Sequence, residues 1–393
     1  MVALNSFQLV IDRLRFKSYF NIFIIKNMDV INISEIYEEL RTHLDNLPSG
    51  YPKTDSKVEI EILKELFTPE EAYIATKLSF FPQKIKQLFR KLDKNTLVLN
   101  DLERILDRMA EKGLIMISEN NGERMYSNLM FLVGFYEYQL GRLNPTLVSN
   151  IFQYFEEAFF EREYNLTGIP QLRTIPVDKS ISPNLSVATY DRLRNFIENA
   201  STIGIMDCIC RIAHDTINDP CKKTDLRETC MTFGTAAKTY KEKGLARLIS
   251  KSEAYELADK FEEEGLIVSP SNSQKPFVVC NCCGCCCEII SNQKKFEKPS
   301  QYFATNFYAL VDEEVCLGCG ICVDSCNIGA IQLDNNVSKI NLGKCIGCGI
   351  CVTRCPENAI TLNKKDNELI PPKNTLETYM NMMNEKKKIK YEL

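Results

Sequence analysis

The chain has 393 residues, 45% hydrophobic and 25% charged, with a formal net charge of −4, the balance of a globular protein of roughly two to three domains. No secretory leader pattern opens it, and the apolar run from Tyr19 to Ile25, flanked by Lys17 and Lys26, is too short to cross a bilayer. That argues against a secreted disulfide scaffold and a membrane protein, and places the chain in the cytoplasm, where clustered thiols hold metal more often than they pair. All 18 cysteines fall between Cys208 and Cys355, and the only histidines are His43 and His214. Metal centres are therefore expected to be thiolate-ligated, which favours iron–sulfur or zinc.

Residues 1–27 read either as an N-terminal helix or as a start-site artefact ahead of Met28, within a helical segment spanning 1–55. Ser34–Leu40 opens an amphipathic helix that Leu47-Pro48-Ser49-Gly50 ends. Thr68-Pro69-Glu70-Glu71 is a capping box with proline in the first helical turn, predicting a helix to about Ser79. Further helices are expected over Gln83–Leu92 and Leu99–Lys112, the latter from Leu99, Leu102, Ile105, Leu106 and Met109 at helical spacing. Leu114–Ile117, the turn Asn120-Asn121-Gly122 and Met125–Leu129 then read as a hairpin.

Three helices followed by a hairpin is the order of a winged helix, assigned to residues 56–130. Its third helix sets Asp101, Glu103, Asp107 and Glu111 against Arg104, Arg108 and Lys112, and the hairpin tip sets Glu119 and Glu123 against Arg124. Phosphate contacts need clustered cations; only the second helix, with Lys84, Lys86, Arg90 and Lys91, is basic. DNA is thus the less favoured partner, and protein docking the favoured role.

Residues 131–300 are expected to form a mixed α/β, Cys-rich region. Phe152, Phe155, Phe159 and Phe160 read as a core stripe. A helix near Tyr190–Asn199 precedes the apolar strand Ile203–Asp207, which leads into Cys208-Ile209-Cys210-Arg211. Cys221 and Cys230 follow in a loop-to-helix stretch with Lys222, Lys223 and Arg227. Ser250-Lys251-Ser252-Glu253 starts another helix, ending at Gly265 and followed by Leu266-Ile267-Val268, a Ser/Asn/Pro turn and Phe277–Cys280, a second helix-plus-hairpin that is wing-like or coincidental. It delivers Cys280, Cys282, Cys283, Cys285, Cys286 and Cys287, six thiols in eight residues, too many to be inert core. These ten cysteines suffice for two four-thiolate centres with two spare, or for one larger cluster; storage of metal and a redox-active thiol pair are the alternatives. His214 reads as a structural histidine in preference to a ligand.

Cys316, Cys319, Cys322 and Cys326 have the spacing C-x2-C-x2-C-x3-C, and Cys345, Cys348, Cys351 and Cys355 repeat it. Gly318/Gly347, Gly320/Gly349, Ile321/Ile350, Val323/Val352 and Ala330/Ala359 match at the same offset, so this is an internal duplication. Three closely spaced thiolates on a tight loop reach three corners of a cubane, while glycines let backbone amides approach the sulfurs. The segment 312–363 resembles the bacterial-type 2[4Fe-4S] ferredoxin family. The resemblance implies two [4Fe-4S] clusters with crossed ligation: Cys316, Cys319, Cys322 and Cys355 on one, Cys345, Cys348, Cys351 and Cys326 on the other. Asn327 departs from the pattern where Pro356 keeps it, and the expectation is a less rigid loop at that corner.

More broadly, most of residues 35–363 is similar to large ferredoxin-domain proteins of anaerobes that combine an N-terminal winged-helix-like region, a C-x-C-R segment, a C-N-C-C-x-C-C-C segment and a C-terminal dicluster ferredoxin. The expected fold is multidomain α+β, with the ferredoxin domain at 301–363 and a solvated, charged tail at 364–393. The expected function is iron–sulfur electron transfer, or service as an oxidoreductase subunit, between the two clusters, a further iron–sulfur or zinc centre at the other ten cysteines, and a redox partner protein. A redox-sensing regulator and a metal-handling protein are the alternatives.

Overall fold

The computed structural model describes residues 33–92 and 97–392; the segment 1–27 lies outside the described residues. The N-terminal helices are α1 (Ile33–Asp45), α2 (Val58–Leu66) and α3 (Pro69–Lys77). The capping box at α3 is formed: Thr68 Oγ1 accepts from the Glu71 amide at 3.3 Å, and Glu71 Oε2 accepts from the Thr68 amide at 2.9 Å. Strand β1 (Gln83–Lys84) precedes α4 (Ile85–Phe89) and α5 (Leu99–Glu111). Helix α4 is shorter than the sequence pattern implies because Gln83 and Lys84 pair instead with Tyr126 and Met125.

The hairpin is β2 (Ile115–Asn120) and β3 (Glu123–Asn128). Asn121 and Gly122 take positive φ, as a two-residue hairpin turn requires. The order β1-β3-β2 makes a three-stranded sheet, and Leu102, Ile105, Leu106 and Met109 of α5 are buried.

Helix α6 (Pro145–Tyr154) runs on in wider, π-type turns through Phe155–Tyr164. Phe155, Phe159 and Phe160 are buried and pack with Phe131, Tyr136, Tyr154 and Tyr164, so the aromatic stripe is core. Then come α7 (Leu193–Asn199), β4 (Ile203–Asp207), α8 (Ile209–Thr216), β5 (Glu228–Phe233), α9 (Thr235–Glu242), β6 (Ala246–Ile249), α10 (Lys251–Glu263), β7 (Ile267–Pro270) and β8 (Val278–Cys282). The five strands form an antiparallel sheet in the order β6-β4-β5-β8-β7. The second hairpin is thus no free wing, since β8 lies between β5 and β7. Cys230 is in β5, paired directly with Cys280, and not in a loop-to-helix stretch.

After α11 (Glu288–Gln293), the duplicated segment folds as β9 (Phe307–Val311), α12 (Ile321–Ser325), β10 (Ile331–Asp334), β11 (Val337–Ile340), α13 (Ile350–Arg354) and β12 (Ile360–Lys364). The inner strands pair as β10-β11 and the outer ones as β9-β12, which closes each half against its copy.

The charged tail proves to be a docked element. Helix α14 (Thr375–Glu392) buries Lys386, whose Nζ donates to Asp45 O, Leu47 O and Glu163 Oε1 at 3.0, 3.2 and 2.7 Å. Tyr379 packs edge-on against Phe80, and Thr378 Oγ1 donates to Asn272 O. The helix therefore straps the N-terminal helices to the Cys-rich sheet. A run of lysines reads as solvated because the sequence does not reveal Glu163 waiting in a buried position. No helix among the described residues is long and apolar enough to cross a membrane.

Candidate metal centres

The two ferredoxin loops are built alike. Gly318 and Gly347 hold φ of 66° and 65°, and a Cβ on either would lie within 2.2 Å of a backbone oxygen, that of Asn336 or Phe307. Only glycine fits there. Cys326, Cys345, Cys348 and Cys351 line one small apolar cavity with Ile328 and Ile346, the four thiols that crossed ligation groups together. Burial pushes the Cys348 thiol up to about 12 and raises Cys326 and Cys351 too, so as free thiols they would be neutral. A bound cation removes that penalty by taking the thiolate.

Amide donors stand ready for sulfur, with Ala330 N–H on Cys326 Sγ at 3.2 Å and Ser338 N–H on Cys316 Sγ at 3.4 Å. The residues present therefore fit iron–sulfur clusters. Residues 309–362 match the 4Fe-4S dicluster domain family. These residues form a ferredoxin-type dicluster domain. No curated protein and no solved structure matches the chain.

The ten other cysteines divide into two groups. Sγ atoms of Cys221, Cys283, Cys285 and Cys286 all lie within 4.8 Å of one another, with contacts of 3.6 Å (Cys221–Cys283), 3.7 Å (Cys221–Cys285), 3.2 Å (Cys283–Cys286) and 3.5 Å (Cys283–Cys285). A tetrahedral ion with metal–sulfur bonds of about 2.3 Å holds its sulfurs about 3.8 Å apart. The knot has the span of one shared ion. Its members come from the loop after α8 and from the Cys-rich segment, so an ion there would tie the two together.

Arg211 stands beside this knot, only 1% exposed. Its guanidinium donates to Thr229 Oγ1, to Asn281 O at 3.2 Å and to Cys283 Sγ at 3.6 Å; no carboxylate pairs with it among these contacts. Burial opposes its charge, but Cys208, Cys283, Cys221 and Cys282 outweigh that and hold the cation firmly. A buried guanidinium needs anionic neighbours, and here thiolates supply them. Cys283 is correspondingly held far below the usual thiol range by the thiols of Cys285 and Cys286 and by Arg211.

The remaining six thiols neighbour one another in the order Cys208, Cys210, Cys287, Cys282, Cys280 and Cys230. His214 joins neither group. It bridges Asp219 and Glu288 at 3.2 and 3.1 Å and packs against Phe152, which is a structural role.

The ferredoxin domain abuts the Cys-rich segment through Asn327. Its Oδ1 accepts from the Gly284 amide at 3.2 Å and its Nδ2 donates to Gly265 O at 2.9 Å. The loop that lost its proline is thus pinned by two hydrogen bonds, and not loosened as the missing ring implies. Gly284 lies between Cys283 and Cys285, and Asn327 follows Cys326, so a single contact joins the cysteine-bearing segments of both systems. Arg354 adds a bond to Glu262 O at the end of α10. The departure from the ferredoxin pattern was the signal for this contact, but nothing in the sequence named its partner.

Among the described residues, the cations of β1 at Lys84, of α5 and of the hairpin are engaged by carboxylates. Arg104 pairs with Asp101, Arg108 with Glu70 and Glu71, Lys112 with Glu71, Arg124 with Glu103 and Asp107, and Lys84 with Glu123.

Proposed function

We propose that the protein is an iron–sulfur electron carrier whose ferredoxin domain exchanges electrons with a Cys-rich metal centre built against it. The observation that carries this reading is the Asn327–Gly284 contact, which joins the residue after Cys326 of the ferredoxin domain to the residue between Cys283 and Cys285. In this reading Cys326, Cys345, Cys348 and Cys351 hold the inner cluster, and Cys316, Cys319, Cys322 and Cys355 hold the outer one. When bound, the clusters supply one-electron reducible iron. The protein's own part is to hold thiolates, direct amide N–H groups at sulfur and exclude water.

The knot of Cys221, Cys283, Cys285 and Cys286 takes a single tetrahedral ion, iron in this reading, whose potential the Arg211 contact to Cys283 raises by stabilising the thiolate. The outer cluster is the port for a redox partner protein. Cys319 is exposed, and Val315 and Leu317 of the same loop, Ile321 at the start of α12 and Leu333 of β10 are exposed as well, apolar side chains of the kind a transient partner covers.

The N-terminal three-helix-and-hairpin unit serves in this account as a winged-helix-type docking platform. A DNA-reading regulator is disfavoured because the cations of α5 and the hairpin are engaged by carboxylates. Metal storage is disfavoured because three of the four knot thiols, those of Cys221, Cys283 and Cys286, are buried, which leaves Cys285 alone exposed to an exchanging ligand. The test is metal and sulfide analysis of anaerobically purified protein together with reduction followed by EPR. Iron in the ferredoxin domain and in the thiolate knot supports the reading, whereas zinc in the knot contradicts electron transfer through it.

A further inference from the structure

The six thiols outside the knot share one face of the sheet. Cys280 and Cys282 are two apart on β8 and so point the same way, and Cys230 sits directly across from Cys280 on β5. Cys208 ends the loop after β4, Cys210 lies in the first turn of α8, and Cys287 precedes α11. The vicinal pairs Cys282-Cys283 and Cys286-Cys287 are therefore split. One member of each joins the knot, and the other turns to this face. That division accounts for six cysteines in eight residues, since two sites on opposite sides of one segment need them.

A further group marks the face as a site. Tyr136 is 1% exposed and its hydroxyl has no hydrogen-bond partner. Apart from its burial, the strongest influence on that phenol is Cys210, followed by Glu288, Glu137 and Cys208. A buried O–H without an acceptor is unfavourable, so a sulfur acceptor beside Cys210 satisfies a group that otherwise has no partner. Backbone amides already face two of these thiols, that of Arg211 facing Cys208 and that of Ile290 facing Cys287, as amides face Cys316 and Cys326 in the ferredoxin domain.

We propose that Cys208, Cys210, Cys282 and Cys287 hold a second centre in the middle of the chain, an iron–sulfur cluster whose sulfur accepts the Tyr136 hydroxyl. Its thiols follow one another along this face, where those of the knot all lie within 4.8 Å of one another, so they span a body larger than one ion. Arg211 lies between the two centres and is the cation common to both. Cys230 and Cys280 flank the cluster without ligating it. The assignment is independent of the electron-carrier reading, because it concerns what binds and not what flows.

The full chain, reconstituted anaerobically with ferrous iron and sulfide, provides the test. Sulfide is the decisive count, since a single ion in the knot brings none. The expected content is about twelve sulfides per chain, of which about eight belong to the ferredoxin clusters. Substituting C210S and C287S together removes about four sulfides and about four irons while the ferredoxin EPR signals persist, and C230S with C280S removes none. A wild-type count of about eight, or loss of sulfide from C230S/C280S instead of C210S/C287S, overturns the proposal. Tyr136→Phe, which keeps the fold's shape, retains the sulfide but lowers the cluster's midpoint potential; an unchanged potential removes Tyr136 from the site. The ferredoxin signals in the same samples report separately on the carrier reading.

Discussion

Replacing Gly284 by alanine tests the junction between the two metal systems. Gly284 has no positive φ, so an alanine there meets no backbone strain and acts only through its methyl group. That Cβ would sit 1.9 Å from Asn327 O and 2.9 Å from Asn327 C. Carbon approaches a carbonyl oxygen no closer than about 3.3 Å without penalty, so the two segments must part by roughly 1.4 Å. The strain of such overpacking is about 1–3 kcal/mol, with about 1 kcal/mol more if the Gly284 N–H bond to Asn327 is lost.

Neither segment loses a thiol, so G284A should bind wild-type amounts of iron and sulfide. What changes is the spacing between Cys326 and the knot. Freeze-quench EPR after mixing with reductant should show the ferredoxin clusters reduced at the wild-type rate and the knot reduced more slowly. Full metal content with wild-type transfer to the knot would refute the claim that Asn327–Gly284 is the electronic junction.

Lys386→Met leaves Glu163 buried without its cation, an arrangement that costs about 3–5 kcal/mol; chemical denaturation should show this loss, and adding E163Q should restore part of it. For Glu71, burial raises the carboxyl, but Lys112, the Thr68 amide and Arg108 together bring it below its ordinary 4.5. Its contribution is therefore present above that value and lost as pH falls through the lowered one. E71Q should cost about 1–2 kcal/mol near neutrality, and the gap to wild type should narrow in denaturation curves taken below pH 4.5. DNA should not be shifted at physiological salt by the oxidised or the reduced protein; a salt-dependent complex with either would reinstate the regulator.

The elements legible in the sequence are those that announce themselves locally. The capping box at Thr68, the turn at Asn121-Gly122 and the duplicated cysteine loops each carry their geometry within a few residues. The crossed grouping of Cys326 with Cys345, Cys348 and Cys351 is what the ferredoxin resemblance implies, since the repeat alone tells only which thiols are equivalent. No such repeat exists among the other ten cysteines, and Cys282-Cys283 looks like one site until the backbone turns the two thiols apart. Cys230 was misplaced because Glu228–Phe233 lacks the alternation that marks a half-buried strand. It lies inside the five-stranded sheet, with β4 on one side and β8 on the other. Tyr136 and Asn327 gain meaning only from partners far away in the chain.

The most direct measurement is single-turnover reduction of the anaerobic full-length protein, followed by EPR, beside a C316S/C345S variant that disables both ferredoxin clusters. The account predicts a high-spin ferric signal from the Cys221, Cys283, Cys285 and Cys286 site that is reduced after the ferredoxin clusters in the wild type and much more slowly in the variant. A redox-silent ion in that site, or equal rates in the two proteins, would contradict it.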